Sequence, residues 1–222
     1  MEMKQGLLPN GSAYLLVMGF VAIFCTSCST SESKKAKTLT LPAQSDILAK
    51  MTLTNQYFMA KWPDPGAPII TDKKRPSNIW TRAVYYEGLM KLYAIDAQKK
   101  YYDYAVAWAD AHQWSFRSGN KTRNADDQCC GQTYIDLYLL DPSKEERIRD
   151  IKACIDLMTE SDKIDDWNWI DALQMAMPVF ARLGYVYRDN RYYDRMFEMY
   201  LFTKNRHGTN GLYNTVDHLW WR

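Results

Sequence analysis

Lys99-Lys100-Tyr101-Tyr102-Asp103-Tyr104 returns 91 positions later as Asn190-Arg191-Tyr192-Tyr193-Asp194-Arg195. Halfway between, Leu92-Tyr93-Ala94-Ile95-Asp96 is echoed by Leu137-Tyr138-Leu139-Leu140-Asp141, 45 positions on. Each copy sits where one helical pattern ends and the next begins. The chain is therefore read as a unit of two antiparallel helices repeated about every 45 residues. One such hairpin cannot bury its own apolar faces, so hairpins stack into a solenoid or close into a toroid.

Apolar residues spaced three and four apart outline the helices around that repeat. The first is expected to start at Ser45-Asp46, as a cap, and to stop near Trp62, because Pro63, Pro65, Gly66 and Pro68 cannot continue it. A second is predicted from Trp80 to Asp96, and a third from about Gln98 to Trp114, broken by Ser118-Gly119-Asn120. The fourth opens at Ala125-Asp126-Asp127. Asp141-Pro142 closes it and opens the fifth, which runs to about Glu160. A sixth follows from Trp169 to about Gly184, with a kink expected at Pro178, and a seventh from Asn190 to about Asn205. No strand alternation persists beyond a few residues, so the expected fold class is all-α.

The register of the repeat carries a functional consequence. The second, fourth and sixth helices hold the same place in successive units and so run parallel. Their N-terminal ends share one rim, with the loops that precede them, and carry Trp80, Asp126 with Asp127, and Trp169 with Asp171. Adding one period to Asp171 predicts a fourth such end at Asp217-His218-Leu219-Trp220-Trp221. The sequence stops there, just as a fourth equivalent helix should begin, and the reading expects a sequence truncated within its domain, or a fragment.

Composition narrows the function classes. The 222 residues are 47% hydrophobic and 24% charged, enough for one sizeable core. A net charge of +2 offers no footprint for nucleic acid. The 16 Tyr and 8 Trp fit either a core of large side chains or a carbohydrate groove, since their rings pair flat apolar faces with a polar edge. Cys129, Cys130 and Cys154 show no metal-ligand spacing and read as small buried apolar residues.

The N-terminus reads as an address. Ala13 to Phe24 is an apolar run of twelve residues, short of the roughly 20 that span a bilayer but suited to a signal-peptide core. Cys25-Thr26-Ser27-Cys28 resembles a bacterial lipobox with Cys28 as the lipidated residue. The expected organisation is a lipoprotein signal peptide at 1–28, a flexible tether at 29–44 and a helical domain at 45–222. It makes the protein exported and anchored to a membrane, in the periplasm or at the outer membrane, through an N-terminal lipid.

Asn124-Ala125-Asp126-Asp127-Gln128-Cys129-Cys130-Gly131-Gln132-Thr133-Tyr134, then Trp169-Ile170-Asp171-Ala172-Leu173-Gln174-Met175-Ala176, then Gly211-Leu212-Tyr213, resemble glycoside hydrolase families 88 and 105. These are the unsaturated glucuronyl and rhamnogalacturonyl hydrolases. The resemblance runs from about Asp46 to Arg222, and the family's later Arg-Gly-Asn-Gly-Trp-like motif does not occur in the sequence. It implies an (α/α)6 barrel of six hairpins, of which this sequence supplies about three and a half. It also implies removal of a 4,5-unsaturated uronic acid from the non-reducing end of lyase products, by hydration of the vinyl ether and without metal or cofactor. Asp171 is then the proton donor and later the base for water, and Asp126 or its neighbour Asp127 the second carboxylate. Trp169, Trp167 and Trp80 are expected to flank the sugar, and His218 to contact it. A helix N-terminus favours an ionised acid at Asp171. Apolar walls from Trp167, Trp169 and Met175, with a second carboxylate, favour the protonated form, and the reading expects them to prevail. The motifs stand closer to the rhamnogalacturonyl type, with a glucuronyl substrate as the near alternative. A non-catalytic glycan-binding lipoprotein is the alternative of a different class, since it needs the tryptophans but no proton donor.

Overall fold

A computed structural model describes residues 41–206 and 211–221. The chain divides into two units, Met1–Leu41 and Pro42–Arg222, and every described element belongs to the second. The signal segment, Cys28 and His207 lie outside the described residues.

The elements run α1 (Gln44–Lys61), a short antiparallel pair β1 (Ile69–Ile70) and β2 (Lys74–Arg75), α2 (Trp80–Ile95), α3 (Lys99–Ala111), α4 (Ala125–Gln128), α5 (Cys130–Leu140), α6 (Glu146–Thr159), α7 (Ile170–Tyr187) and α8 (Asn190–Asn205). The fold is all-α, as the periodicity predicts. The N-caps Ile79, Asn124 and Trp169 follow one another at 45-residue steps, so the repeat read in the sequence is the repeat of the structure. Helices α2, α4–α5 and α7 neighbour one another in one layer, with α3, α6 and α8 packed behind them. Among the described residues no helix is long and apolar enough to cross a membrane.

The boundaries differ from expectation where local chemistry intervenes. The cap of α1 is Ala43, not Ser45 or Asp46, and no side chain bonds its first turn. The fourth helix is split into α4 and α5 at Cys129. That residue keeps helical angles (φ −52°, ψ −42°), while the Gln132 amide donates to the Cys129 carbonyl at 3.2 Å, a tightened i to i−3 link. Helix α6 starts at Glu146 and not at Asp141-Pro142. Asp141 is engaged in a turn, accepting from Ser143 Oγ at 2.6 Å and from the Lys144 amide at 3.2 Å. Helix α3 ends at Ala111, before Ser118-Gly119-Asn120, because Gln113 and Trp114 turn left-handed at φ 54° and 56°. Trp114 is held there by burial and by donation from its Nε1 to Asp110 at 2.8 Å.

The helix expected at Asp217 is absent from residues 211–221. Asn214 and Asp217 accept from the amides of Val216 and Leu219 at 2.8 and 2.9 Å. These local bonds compete with a helix, and they favour a turn in which Tyr213 faces Trp220 across an isolated bridge.

Packing follows the repeated tyrosines. Tyr101 and Tyr192 are buried, and Tyr192 donates to Asp156 on α6. Tyr86 stacks on Trp108 with ring centroids 3.8 Å apart, fastening α2 to α3. Cys129, Cys130 and Cys154 are free and buried. Pro178 within α7 has no amide hydrogen, so the Gln174 carbonyl one turn earlier loses its helical partner. Gln132 on α5 supplies the missing donor, with Nε2 2.9 Å from that carbonyl, and Arg182 returns a bond to the Gln132 carbonyl at 2.6 Å. The proline that weakens α7 internally therefore ties it to its neighbour.

Candidate active site

Asp126 and Asp171 are both the second residue of their helices, α4 and α7, one 45-residue step apart. Parallel neighbours place equivalent residues at the same end, so both half-buried carboxylates stand on one rim. Burial holds the Asp126 carboxyl above its ordinary value of 3.8, and the negative charges of Asp127 and Asp171 add to the push, against opposition from Arg117 and Arg75. The rim therefore holds two acids within electrostatic reach of each other and two arginines near enough to moderate them.

Asp127 has a different setting. Its side chain is 1% exposed, with Arg117 Nε at 2.6 Å on one oxygen and Thr122 Oγ1 at 2.8 Å on the other. Both oxygens are engaged by the loop that leads into α4.

The loop before Asp171 is clamped from two directions. Arg123 donates through Nε to Asp166 at 2.9 Å and through its terminal nitrogen at 2.5 Å, and it reaches the Lys163 carbonyl at 2.9 Å. From α8, Thr203 Oγ1 donates to the Trp167 carbonyl at 2.6 Å, and Arg206, the C-cap of that helix, donates to the Asn168 carbonyl at 3.1 Å. Arg123 lies three residues before Asp126, and Asp166 five before Asp171. The ion pair thus joins the two approaches to the acids.

The aromatic residues divide. Trp80 is 41% exposed at the first position of α2. Trp169 is the extended N-cap of α7, half-buried against the core. Trp167 does not offer the sugar face expected of it. It is 1% exposed and meets Phe180 edge-on at 5.5 Å, because Thr203 draws its backbone inward. Met175, expected as a wall beside Asp171, is likewise a core residue, 3% exposed. His218 is exposed in the 211–221 turn at φ 59°, its Nδ1 3.2 Å from the Tyr213 hydroxyl.

One polar residue escaped the sequence reading. Glu87 on α2 accepts from Cys129 Sγ at 3.1 Å and from Gln174 Nε2 at 2.9 Å. Cys129 and Gln174 are again 45 apart, a spacing that could have drawn attention to them. Glu87 sits between positions of the repeat and gave no such signal.

Residues 50–222 match the family model described as Glycosyl Hydrolase Family 88. A solved structure described as a glycosyl hydrolase family 88 protein from Bacteroides vulgatus is 27% identical, with a TM-score of 0.63 over 73% of this chain and 48% of that one. A solved structure described as a polysaccharide lyase is 23% identical, with a TM-score of 0.69 over 80% of this chain and 50% of that one, a likeness of fold alone. The chain spans about half the length of these structures. No curated protein matches it.

Proposed function

The chain belongs to glycosyl hydrolase family 88, and from that membership we propose a glycoside hydrolase that removes a 4,5-unsaturated uronic acid from lyase-generated oligosaccharides. The observation that carries this reading is the pair Asp126 and Asp171 at the same helical position on one rim, the first with its proton held by burial and by neighbouring negative charge. Two carboxylates that repel each other retain a proton at a pH where a lone one loses it. Asp171, in its protonated form, delivers its own proton to C4 of the vinyl ether, with Asp126 as the neighbouring carboxylate. Water then adds its oxygen to C5 and gives up a proton to the same carboxylate. The hemiketal at C5 opens to a ketone, and the hemiacetal left at C1 releases the remaining sugar with its hydroxyl.

Asp126 is the second carboxylate of this mechanism, since both oxygens of Asp127 are engaged by Arg117 and Thr122. Trp169 and Trp80, both accessible at the rim, flank the sugar ring. The substrate is the unsaturated rhamnogalacturonyl type, supported by the motif around Asp171, with a glucuronyl end group as the second substrate to assay. The apolar run from Ala13 to Phe24 and the following Cys28 support export and a lipid anchor.

Incubation of the full chain with lyase-treated pectin, followed by ultraviolet absorbance, tests the activity. The double-bond absorbance is expected to disappear with the wild type, and Asp171→Asn is expected to slow this by at least about a thousandfold, as for loss of an essential proton donor. Retained turnover in Asp171→Asn rules out its role. Sugar binding without loss of absorbance by the wild type points instead to a glycan-binding module.

A further inference from the structure

Glu87 reaches both acid-bearing helices from a third. Its two carboxylate oxygens accept from Cys129 Sγ at 3.1 Å and from Gln174 Nε2 at 2.9 Å. Those donors stand three residues after Asp126 and Asp171, on the same faces and one turn further along. The bridge therefore lies one level beneath the acids, and a helical turn rises about 5.4 Å, close to the width of a pyranose ring.

The chemistry of the bridge orients one group. A carboxylate only accepts, so it takes the amino end of the Gln174 amide and leaves the carbonyl end to point elsewhere. Gln174 is exposed and Glu87 half-buried, so that free acceptor faces the accessible side of the layer. Burial raises the Glu87 carboxyl from its ordinary value, while the bonds from Cys129 and Gln174 pull it back toward the ionised form.

We propose that Glu87, Cys129 and Gln174 form the floor of the uronyl site, with Glu87 as a positioning residue that holds the Gln174 amide so that its oxygen accepts a ring hydroxyl of the sugar. The proposal rests on the reading that the unsaturated ring sits between Asp126 and Asp171. A ring whose reacting C4–C5 edge meets the acids sets its C2 hydroxyl, across the ring from C5, at the level of Gln174. The second carboxylate and the floor share α4–α5, and the proton donor and the floor share α7, so one frame aligns both contacts.

The test is binding, measured by calorimetric titration of full-length Asp171→Asn with an unsaturated uronyl disaccharide. In that background Gln174→Ala and Glu87→Met are each expected to weaken binding about tenfold. Combined, they lose no more than Gln174→Ala alone, because Glu87 acts through Gln174. Glu87→Gln, which restores an acceptor, is expected to recover binding to within about threefold. Thermal melts confirm folding, and Gln174→Ala at an exposed position leaves stability nearly unchanged. An unchanged affinity in Gln174→Ala or Glu87→Met, or losses that multiply in the double variant, overturns the floor. If the wild type still consumes the double bond in that case, the hydrolase reading stands. No turnover by the wild type together with no binding by Asp171→Asn overturns the hydrolase reading and the floor with it.

Discussion

Arg117 and Thr122 each take one oxygen of Asp127, while its sequence neighbour Asp126 faces the rim half-buried. The two aspartates should therefore answer substitution in opposite ways. Asp127→Ala strands Arg117 and opens the loop, and is expected to cost about 3 kcal/mol in a denaturant melt, the range for breaking a buried pair from one side. Asp126→Asn should stabilise. The native Asp126 carboxyl holds its proton more tightly than the unfolded chain does, so stability falls as pH rises from the ordinary 3.8 through the raised native value, and the penalty is complete above it. The melting temperature of Asp126→Asn is expected to exceed that of the wild type near neutral pH, with the gap closing below pH 3.8; an equal gap at both ends excludes the effect. The sequence placed both acids on the rim but could not separate them. What separates them is a loop contact at Arg117 and Thr122, which follows no period. Trp167 was misjudged for the same reason, since its burial is decided by Thr203, 36 residues away.

Among the elements, α7 and α8 pack closely at Gly184. A Cβ added to Gly184 meets the ring of Tyr193 at 2.7 Å, so the glycine is required by the approach of the helices and not by its backbone angles. Gly184→Ala is expected to lower stability by about 1–3 kcal/mol, as overpacking does, and a thermal melt measures it. Helix α1 is at the other extreme. Leu53 and Tyr57 are 68% and 62% exposed, and Asn55 is its one buried residue. Hydrogen exchange should run fastest in α1 and slowest in α5, whose first six residues are all buried; protection of α1 equal to that of α5 contradicts this. Periodicity located the helices but not their ends. At Asp141, whose carboxylate accepts from the Ser143 hydroxyl, and at Asn214, whose side chain accepts from a nearby backbone amide, short polar side chains bond locally and a helix expected from apolar spacing gives way to a turn.

At the scale of the molecule, the helical hairpins and their 45-residue step are legible in the sequence, because packing demands the same apolar faces in every hairpin. The bridges between helices were not. Glu87 to Gln174 joins residues 87 apart, and Gln132 to the Gln174 carbonyl joins residues 42 apart. Such bonds depend on how far one helix has slid along another, and the sequence does not record that. The 45-residue step has a further consequence. Thr81, Asp126 and Asp171 occupy one and the same slot, the second residue of successive parallel helices. Whatever side chain is written into that slot is delivered to the rim, while Tyr101, Tyr192 and Gly184 go on holding the hairpins as before. A lineage can therefore change its chemistry one codon per hairpin and leave the scaffold untouched; with a hydroxyl in one slot and acids in two, this chain is one spelling of a rim that permits many.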